Sequence, residues 1–379
     1  MTDISFNLDP EIIIGMDTVN RAGTICKAYG SRVLIAVEQW LYENHTIDRL
    51  TTILQDSGVE AIVFDAIPPH AMADVAKKVA DLARGARCSG IIGFGGLTTQ
   101  YIARLGAIIA GSSSEVFDLL DGKNPDDAFI PYIAIPTAAA DPFLLATSFI
   151  ATDPRDRSVK LIKSPKGLCA AVIIDGTLSE SVSDKAVSAF DGFCMALEAY
   201  GSRKAGVLSD VLLEQALARY ARITAAEADN QGLDVLEDFI NAGFFLALGS
   251  ATSTPGIGTA LAYALDGRFP LAKPRYSTVL LPSILERLVA VRPEKIAAVA
   301  ALMGEAAAGA SVADSAALAV DAIRHRMEAL KVPTTLKEFN LSLDRLVPVV
   351  EAARNLEFVA FSPWTVTAEG VLDMLKEAF

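Results

Sequence analysis

The chain has 379 residues, 52% hydrophobic and 21% charged, a length of two domains at about 100–200 residues each and a composition too apolar for intrinsic disorder. Lys and Arg number 33 against 46 Asp and Glu, a formal net charge of -13, and the basic residues do not cluster, so nucleic acid and anionic membrane surfaces are excluded as partners. No run of about 18 apolar residues escapes a charge or a turn signal, so no membrane span is expected. The N-terminus, Met-Thr-Asp-Ile-Ser-Phe-Asn-Leu-Asp-Pro-Glu, carries acids where a secretory signal carries a basic region. Four scattered cysteines without a CxxC pair, Cys26, Cys88, Cys169 and Cys194, read as reduced, mostly buried thiols of a cytoplasmic protein.

Taken in chain order, apolar runs at 11–14, 33–37, 61–64, 91–94, 133–135 and 170–174 are too short for helices and too continuous for half-exposed strands. They read as strands of a buried, mostly parallel sheet. Helical patterns lie between them. The stretch 74–84 sets Val75, Val79 and Leu82 on one face, and 99–110 has few breakers apart from Gly106. This alternation is that of a doubly wound α/β domain. Beyond about residue 183 the strand signal almost vanishes. Helices are expected at 184–200, 208–226, 233–248, 278–291, 293–308, 313–330, 343–353 and 368–378, with Ser342 and Thr367 as N-caps of the last two. Alanine is dense at 297–308, which suits close helix packing, and there is no internal repeat. The expectation is an α/β domain over 1–182 and an all-α domain over 183–379.

The run Gly93-Phe-Gly-Gly-Leu-Thr98 joins a strand to a helix, where backbone N–H groups of Gly93, Gly95 and Gly96 can approach a pyrophosphate. Thr98 stands at the sixth position, so the third glycine of GxGxxG is missing, and a βα turn without a ligand is the bland alternative. Glu38 ends the second strand, where dinucleotide folds place an acid that bonds the adenosine ribose and repels a 2′-phosphate. That favours NAD over NADP, against the alternative of a solvated strand-end glutamate.

Several segments in order resemble the iron-containing (group III) alcohol dehydrogenase family, within the wider dehydroquinate-synthase-like superfamily. They are the glycine turn at 93–98, residues 133–153 against IPTTAGTGSE and a strand ending Thr-Asp, AFDGFCMALEAY at 189–200 against GxDALTHAxEAY, and the stretches 331–355 and 362–375 against the closing helices. The resemblance covers nearly the whole chain. It implies an N-terminal Rossmann-like dinucleotide-binding domain, a C-terminal helical domain, an active site in the cleft between them and a homodimer or larger homo-oligomer, with the N-terminal strand edges as contact surface. It also implies cofactor contacts at Thr137 and Lys160, although Lys163 and Lys166 lie close to the latter. Against the family's GGGSxxDxxK this chain substitutes Phe94, Gly96, Thr99 and Ile102, and TGSE becomes Asp141-Pro142-Phe143-Leu144.

Members of the family hold a divalent metal through one Asp and three His, the Asp and first His one helical turn apart. Here Asp191 is retained, Met195 stands at the first His position, and Thr259 and Lys273 fall at the other two. Tyr263 replaces a further cleft histidine. The chain's three histidines, His45, His70 and His325, lie elsewhere. A carboxylate, a thioether, a hydroxyl and an ammonium do not make a zinc or iron(II) site, and Cys194 points about 100° away from Met195 on a helix. A divalent metal is therefore not expected. Lys273, held by Asp191, is the candidate oxyanion stabiliser and Tyr263 the candidate proton relay. The competing reading is an ion pair filling a dead site.

The function this implies is NAD(P)-dependent hydride transfer between a small alcohol and its aldehyde or ketone, without the usual metal. Two other readings stay open. One is a catalytically silent relative that binds a nucleotide or another small ligand. The other is lyase or cyclase chemistry on a phosphorylated substrate, which fits less well because such enzymes rely on the same metal cluster.

Overall fold

The computed structural model describes residues 6–126, 128–138, 140–179, 185–229, 235–339 and 341–379. Continuous apolar runs become the strands β1 (Glu11–Gly15), β2 (Arg32–Val37), β3 (Glu60–Phe64), β4 (Ile91–Gly95), β5 (Tyr132–Pro136) and β8 (Cys169–Asp175), which form one sheet in the order β1-β8-β5-β4-β2-β3. Every pairing in it is parallel. Parallel sheets need cover on both faces, and β4 and β5 are buried along their whole length, whereas the edge strands β1 and β3 are mostly half-buried. Val33, Ile35, Ile92, Ile133 and Ile173 meet Leu50 and Leu54 in the core. All six expected strands are present, each extended by a residue or more.

A second, two-stranded antiparallel sheet pairs β6 (Ser148–Thr152) with β7 (Val159–Lys163). Composition alone did not mark this hairpin; only the Thr-Asp resemblance pointed to β6. Helix α1 (Ala73–Gly85) buries Val75 and Val79 as expected, but Leu82 is 37% exposed. Ala76, Val79 and Ala83 centre the buried stripe, and Leu82 lies about 90° from that centre at about 3.6 residues per turn. Small residues win there because α1 packs tightly on α2 (Leu97–Gly111): a Cβ on Gly106 would come within 2.9 Å of Val79.

The chain divides into two compact units, Met1–Ala138 with Thr147–Val182, and Ala139–Ala146 with Ser183–Phe379. The expected switch near residue 183 lies outside the described residues, as do the expected helix starts at 184 and 233. The second unit is helical. Helix α3 spans Lys185–Gly201, α4 Ile257–Arg268 and α5 Lys273–Val291. Helix α4 is not among the expected helices; Gly258 and Gly267 within it, and Pro255 and Gly256 before it, weaken the helical signal. Helix α5 begins well before residue 278, with Pro274 in its first turn, where a missing N–H costs nothing. The helix expected to 308 is Pro293–Leu302, stopped by Gly304 at φ +80. Ser342 is not a side-chain cap: a short 3-10 turn, Leu343–Arg345, intervenes, and the helix Val347–Arg354 starts from Leu346. Thr367 does cap Ala368–Glu377, its hydroxyl accepting from the Gly370 N–H at 3.1 Å. The four cysteines are free and buried. Among the described residues no helix is long and apolar enough to cross a membrane.

Candidate active site

In the first unit the chain leaves β2 toward β3 on one side and β4 toward β5 on the other. Adjacent strands that depart in opposite directions open a crevice at their carboxyl ends, the usual ligand position in such sheets. Glu38 follows β2, and Gly95 and Gly96 end β4 and lead into α2. These residues touch. The Gly96 N–H donates to Glu38 Oε1 at 2.7 Å, the Thr99 hydroxyl to the same oxygen at 3.3 Å, and the Trp40 indole to Oε2 at 2.5 Å. Gly95 sits at φ +151, and a Cβ there would lie 2.9 Å from Thr99 Oγ1 and 3.1 Å from the Glu38 carboxyl. A Cβ on Gly96 would lie 3.0 Å from Glu38 Oε1.

Gly93 differs from its neighbours. A Cβ there meets Gln100, Ala103 and Tyr132 at 2.8–3.2 Å, so strand–helix packing requires that glycine. Gln100 pins the turn from beneath, donating to the carbonyls of Gly93, Gly95 and Ile135 and accepting from the Tyr132 hydroxyl. Thr137, after β5, donates its N–H to the Gly95 carbonyl at 3.0 Å. Lys160 lies on β7, opposite Ala151. Arg155, and more weakly Lys160, hold the Asp121 carboxyl below its ordinary range.

In the second unit one face of α3 presents Asp191, Met195 and Glu198. The Lys273 ammonium, from the first turn of α5, donates to Asp191 Oδ1 at 2.5 Å and to Met195 Sδ at 2.9 Å. It also lies 5.0 Å from the centroid of the Tyr263 ring. The Lys273 and Asp191 side chains are 3% and 2% exposed. The charged contact expected between them is present. Lys273 is seated by its own backbone, whose N–H donates to Asp266 Oδ1 at 3.0 Å.

Thr259 stands apart from the other three aligned positions. Its hydroxyl donates to Glu198 Oε2 at 2.6 Å, so of the four aligned positions three meet at the ammonium. Glu198 also accepts the backbone N–H groups of Gly258 and Thr259 at 2.6 and 2.8 Å, and burial pushes its carboxyl up. A carboxylate at the N-terminus of α4 satisfies N–H donors of the first turn that have no intrahelical partner. Asp141 closes a tight turn by accepting the Phe143 N–H at 2.8 Å, and Phe143 packs its ring 6.1 Å from that of Tyr263. The large apolar residue that replaces the family's small hydroxylic one is therefore part of the aromatic wall beside Tyr263.

A divalent cation does not fit this donor set. The Asp191 carboxylate and the Met195 sulfur already face an ammonium, and like charge opposes a metal there. Among the described residues no group of three His, Cys, Asp or Glu side chains could hold one. Burial and the nearby Glu198 and Asp191 carboxylates push the Cys194 thiol up, away from the thiolate that ligation needs.

A profile for iron-containing alcohol dehydrogenase matches residues 9–176, and one for the C-terminal part of the Fe-containing alcohol dehydrogenase family matches 185–379. The chain belongs to the iron-containing alcohol dehydrogenase family. Like other members it is an oxidoreductase, an enzyme of the alcohol dehydrogenase type with a nicotinamide nucleotide as cofactor. It is 23% identical to the 1,3-propanediol dehydrogenase of Citrobacter freundii over 371 residues, 96% of each chain. It is 20% identical to the lactaldehyde reductase of Escherichia coli strain K12 over 353 residues, 92% of each chain. Its fold matches a crystal structure of 1,3-propanediol oxidoreductase with TM-score 0.91 at 22% identity, covering 100% of both chains. It also matches a sulfoacetaldehyde reductase from Bifidobacterium kashiwanohense, solved in complex with NAD+, with TM-score 0.85 at 17% identity, covering 100% of this chain and 99% of that one.

Proposed function

We propose that this family member passes hydride between NAD and a small alcohol or its carbonyl partner, with the Lys273 ammonium at the position where relatives hold a metal. The observation that carries this reading is the ammonium seated on Asp191 and Met195. A nicotinamide nucleotide, when bound, accepts the hydride from an alcohol or supplies it to a carbonyl. The residues at the β2–β4 crevice fit such a group: two glycines whose side chains would crowd the turn, a helix N-terminus and an acid at the strand end. In this reading Glu38 receives the adenosine ribose and disfavours a 2′-phosphate, the turn at Gly93, Gly95 and Gly96 with Thr137 lines the phosphates, and Lys160 adds a charge. The first unit is then the cofactor domain and the helical unit the substrate domain.

An ammonium has three N–H donors. Asp191 and Met195 take two, and among the described contacts the third meets no oxygen, which leaves it for a substrate alkoxide or carbonyl. A charged donor in a dry site stabilises developing negative charge far better than one in water. Asp191 fixes the ammonium, and Tyr263 relays the hydroxyl proton as the alcohol is oxidised. Turnover of small diols, alcohols and aldehydes with NAD(H), in wild type and Lys273→Ala, tests the reading. The variant should lose about 100- to 1,000-fold in kcat with cofactor affinity kept. Equal turnover in both would remove Lys273 from the chemistry.

The depth at which Lys273 and Asp191 are buried favours the second reading, a silent relative that binds ligand around a plugged site. NAD binding without turnover on any substrate would select it. We further propose a homodimer or larger assembly through the sheet edges, tested by light scattering, and a cytoplasmic setting that suits four buried free thiols.

A further inference from the structure

We infer that Trp40 is a positioning residue for the cofactor's adenosine end, holding the Glu38 carboxylate where it separates a ribose 2′-hydroxyl from a 2′-phosphate. The inference rests on the dinucleotide reading of the β2–β4 crevice. Trp40 opens no core: it is 37% exposed, on the short helix Gln39–Glu43 that follows β2. Its indole nevertheless donates to Glu38 Oε2 at 2.5 Å. Indole N–H is a donor only, so this bond requires Oε2 as an acceptor.

Glu38 is half-buried, and a glutamate side chain has rotamer freedom to lose. Left alone, such a carboxylate turns toward water. Gly96 and Thr99 both address Oε1, so the indole is the tether on Oε2. A carboxylate has about four acceptor positions, and three are filled by these donors. The remaining one, on Oε2, suits a hydroxyl that can donate. A phosphate at that place brings only acceptors and like charge. Trp40 therefore fixes both the position of the charge and the single open acceptor.

Calorimetric titration with NAD+ and NADP+ of wild type, Trp40→Phe, Glu38→Gln and the double variant tests this without any turnover. Trp40→Phe keeps the ring and removes the donor. It should weaken NAD+ binding roughly 3- to 10-fold, as loss of one hydrogen bond does, and lower the ratio Kd(NADP+)/Kd(NAD+). A merely structural role would weaken both nucleotides alike and leave that ratio in place. Because Trp40 acts through Glu38, Trp40→Phe should leave the ratio unchanged in the Glu38→Gln background. An unchanged ratio in the single variant, or an equal fall in the Glu38→Gln background, would overturn the inference while leaving the dinucleotide site standing. Wild-type protein that binds neither nucleotide would overturn the site, and the inference with it.

Discussion

Lys273→Ala should be among the most destabilising single changes in the helical unit. Both partners of the Lys273–Asp191 pair are almost fully enclosed, so solvent screening gives little relief. Truncating the lysine leaves Asp191 Oδ1 buried without its cation, and breaking a buried pair from one side costs about 3–5 kcal/mol. For a domain of this size each kcal/mol moves the midpoint by about 2–4 °C, so the melting temperature should fall by about 6–20 °C. Calorimetry and guanidinium unfolding can both read this. The double variant Asp191→Leu with Lys273→Met removes both charges and keeps the volume, and should return to within about 1 kcal/mol of wild type or exceed it. A loss below about 1 kcal/mol in Lys273→Ala would mean that the pair is hydrated. A double variant as unstable as the single one would show that packing on Met195 and Tyr263, rather than charge, carries the effect.

Gly95→Ala forces a β-carbon into a φ of +151 and against Thr99, so it should cost about 1–3 kcal/mol and weaken NAD+ binding in the same titration; unchanged binding would separate the turn from the cofactor. Burial raises the Glu198 carboxyl above the unfolded glutamate value, so the folded state holds that proton more tightly. Its contribution to stability is full below about pH 4.3, the unfolded value, and is lost as pH rises through the raised folded value. The stability gap between wild type and Glu198→Gln, from urea unfolding across that window, should therefore shrink with rising pH; a widening gap would show that the Gly258 and Thr259 donors outweigh burial. Burial pushes the thiols of Cys26 and Cys169 up to about 12, so a thiol reagent should label none of the four cysteines until the protein unfolds. Fast labelling of the native protein would contradict their burial.

The parallel sheet was legible because strands covered on both faces need uninterrupted apolar runs, and few other elements produce them. The β6–β7 hairpin lacked that signature: β7 buries only Val159 and Ile162 of its five residues and carries Lys160 and Lys163. Helix α4 was hidden by its own glycines, since what starts it is Glu198, about sixty positions earlier, accepting its first N–H groups. The same contact explains why Thr259 turned away from the aligned cluster. Asp191, Met195 and Lys273 were readable together because helix spacing sets the first two on one face and alignment supplied the third. Trp40 and Thr99 were not, because their meeting on Glu38 depends on β2 and β4 being neighbours in the sheet. That order follows from the crossover connections, which local periodicity does not encode.

In the proposed reaction an ammonium, and no divalent cation, stabilises the substrate oxygen. The most direct test is to measure metal content and NAD-dependent turnover in one preparation, before and after prolonged chelation. Turnover is expected from protein with far less than one zinc or iron per chain, unaffected by the chelator and lost in Lys273→Ala. Turnover that rises and falls in proportion to a stoichiometric bound metal would contradict it.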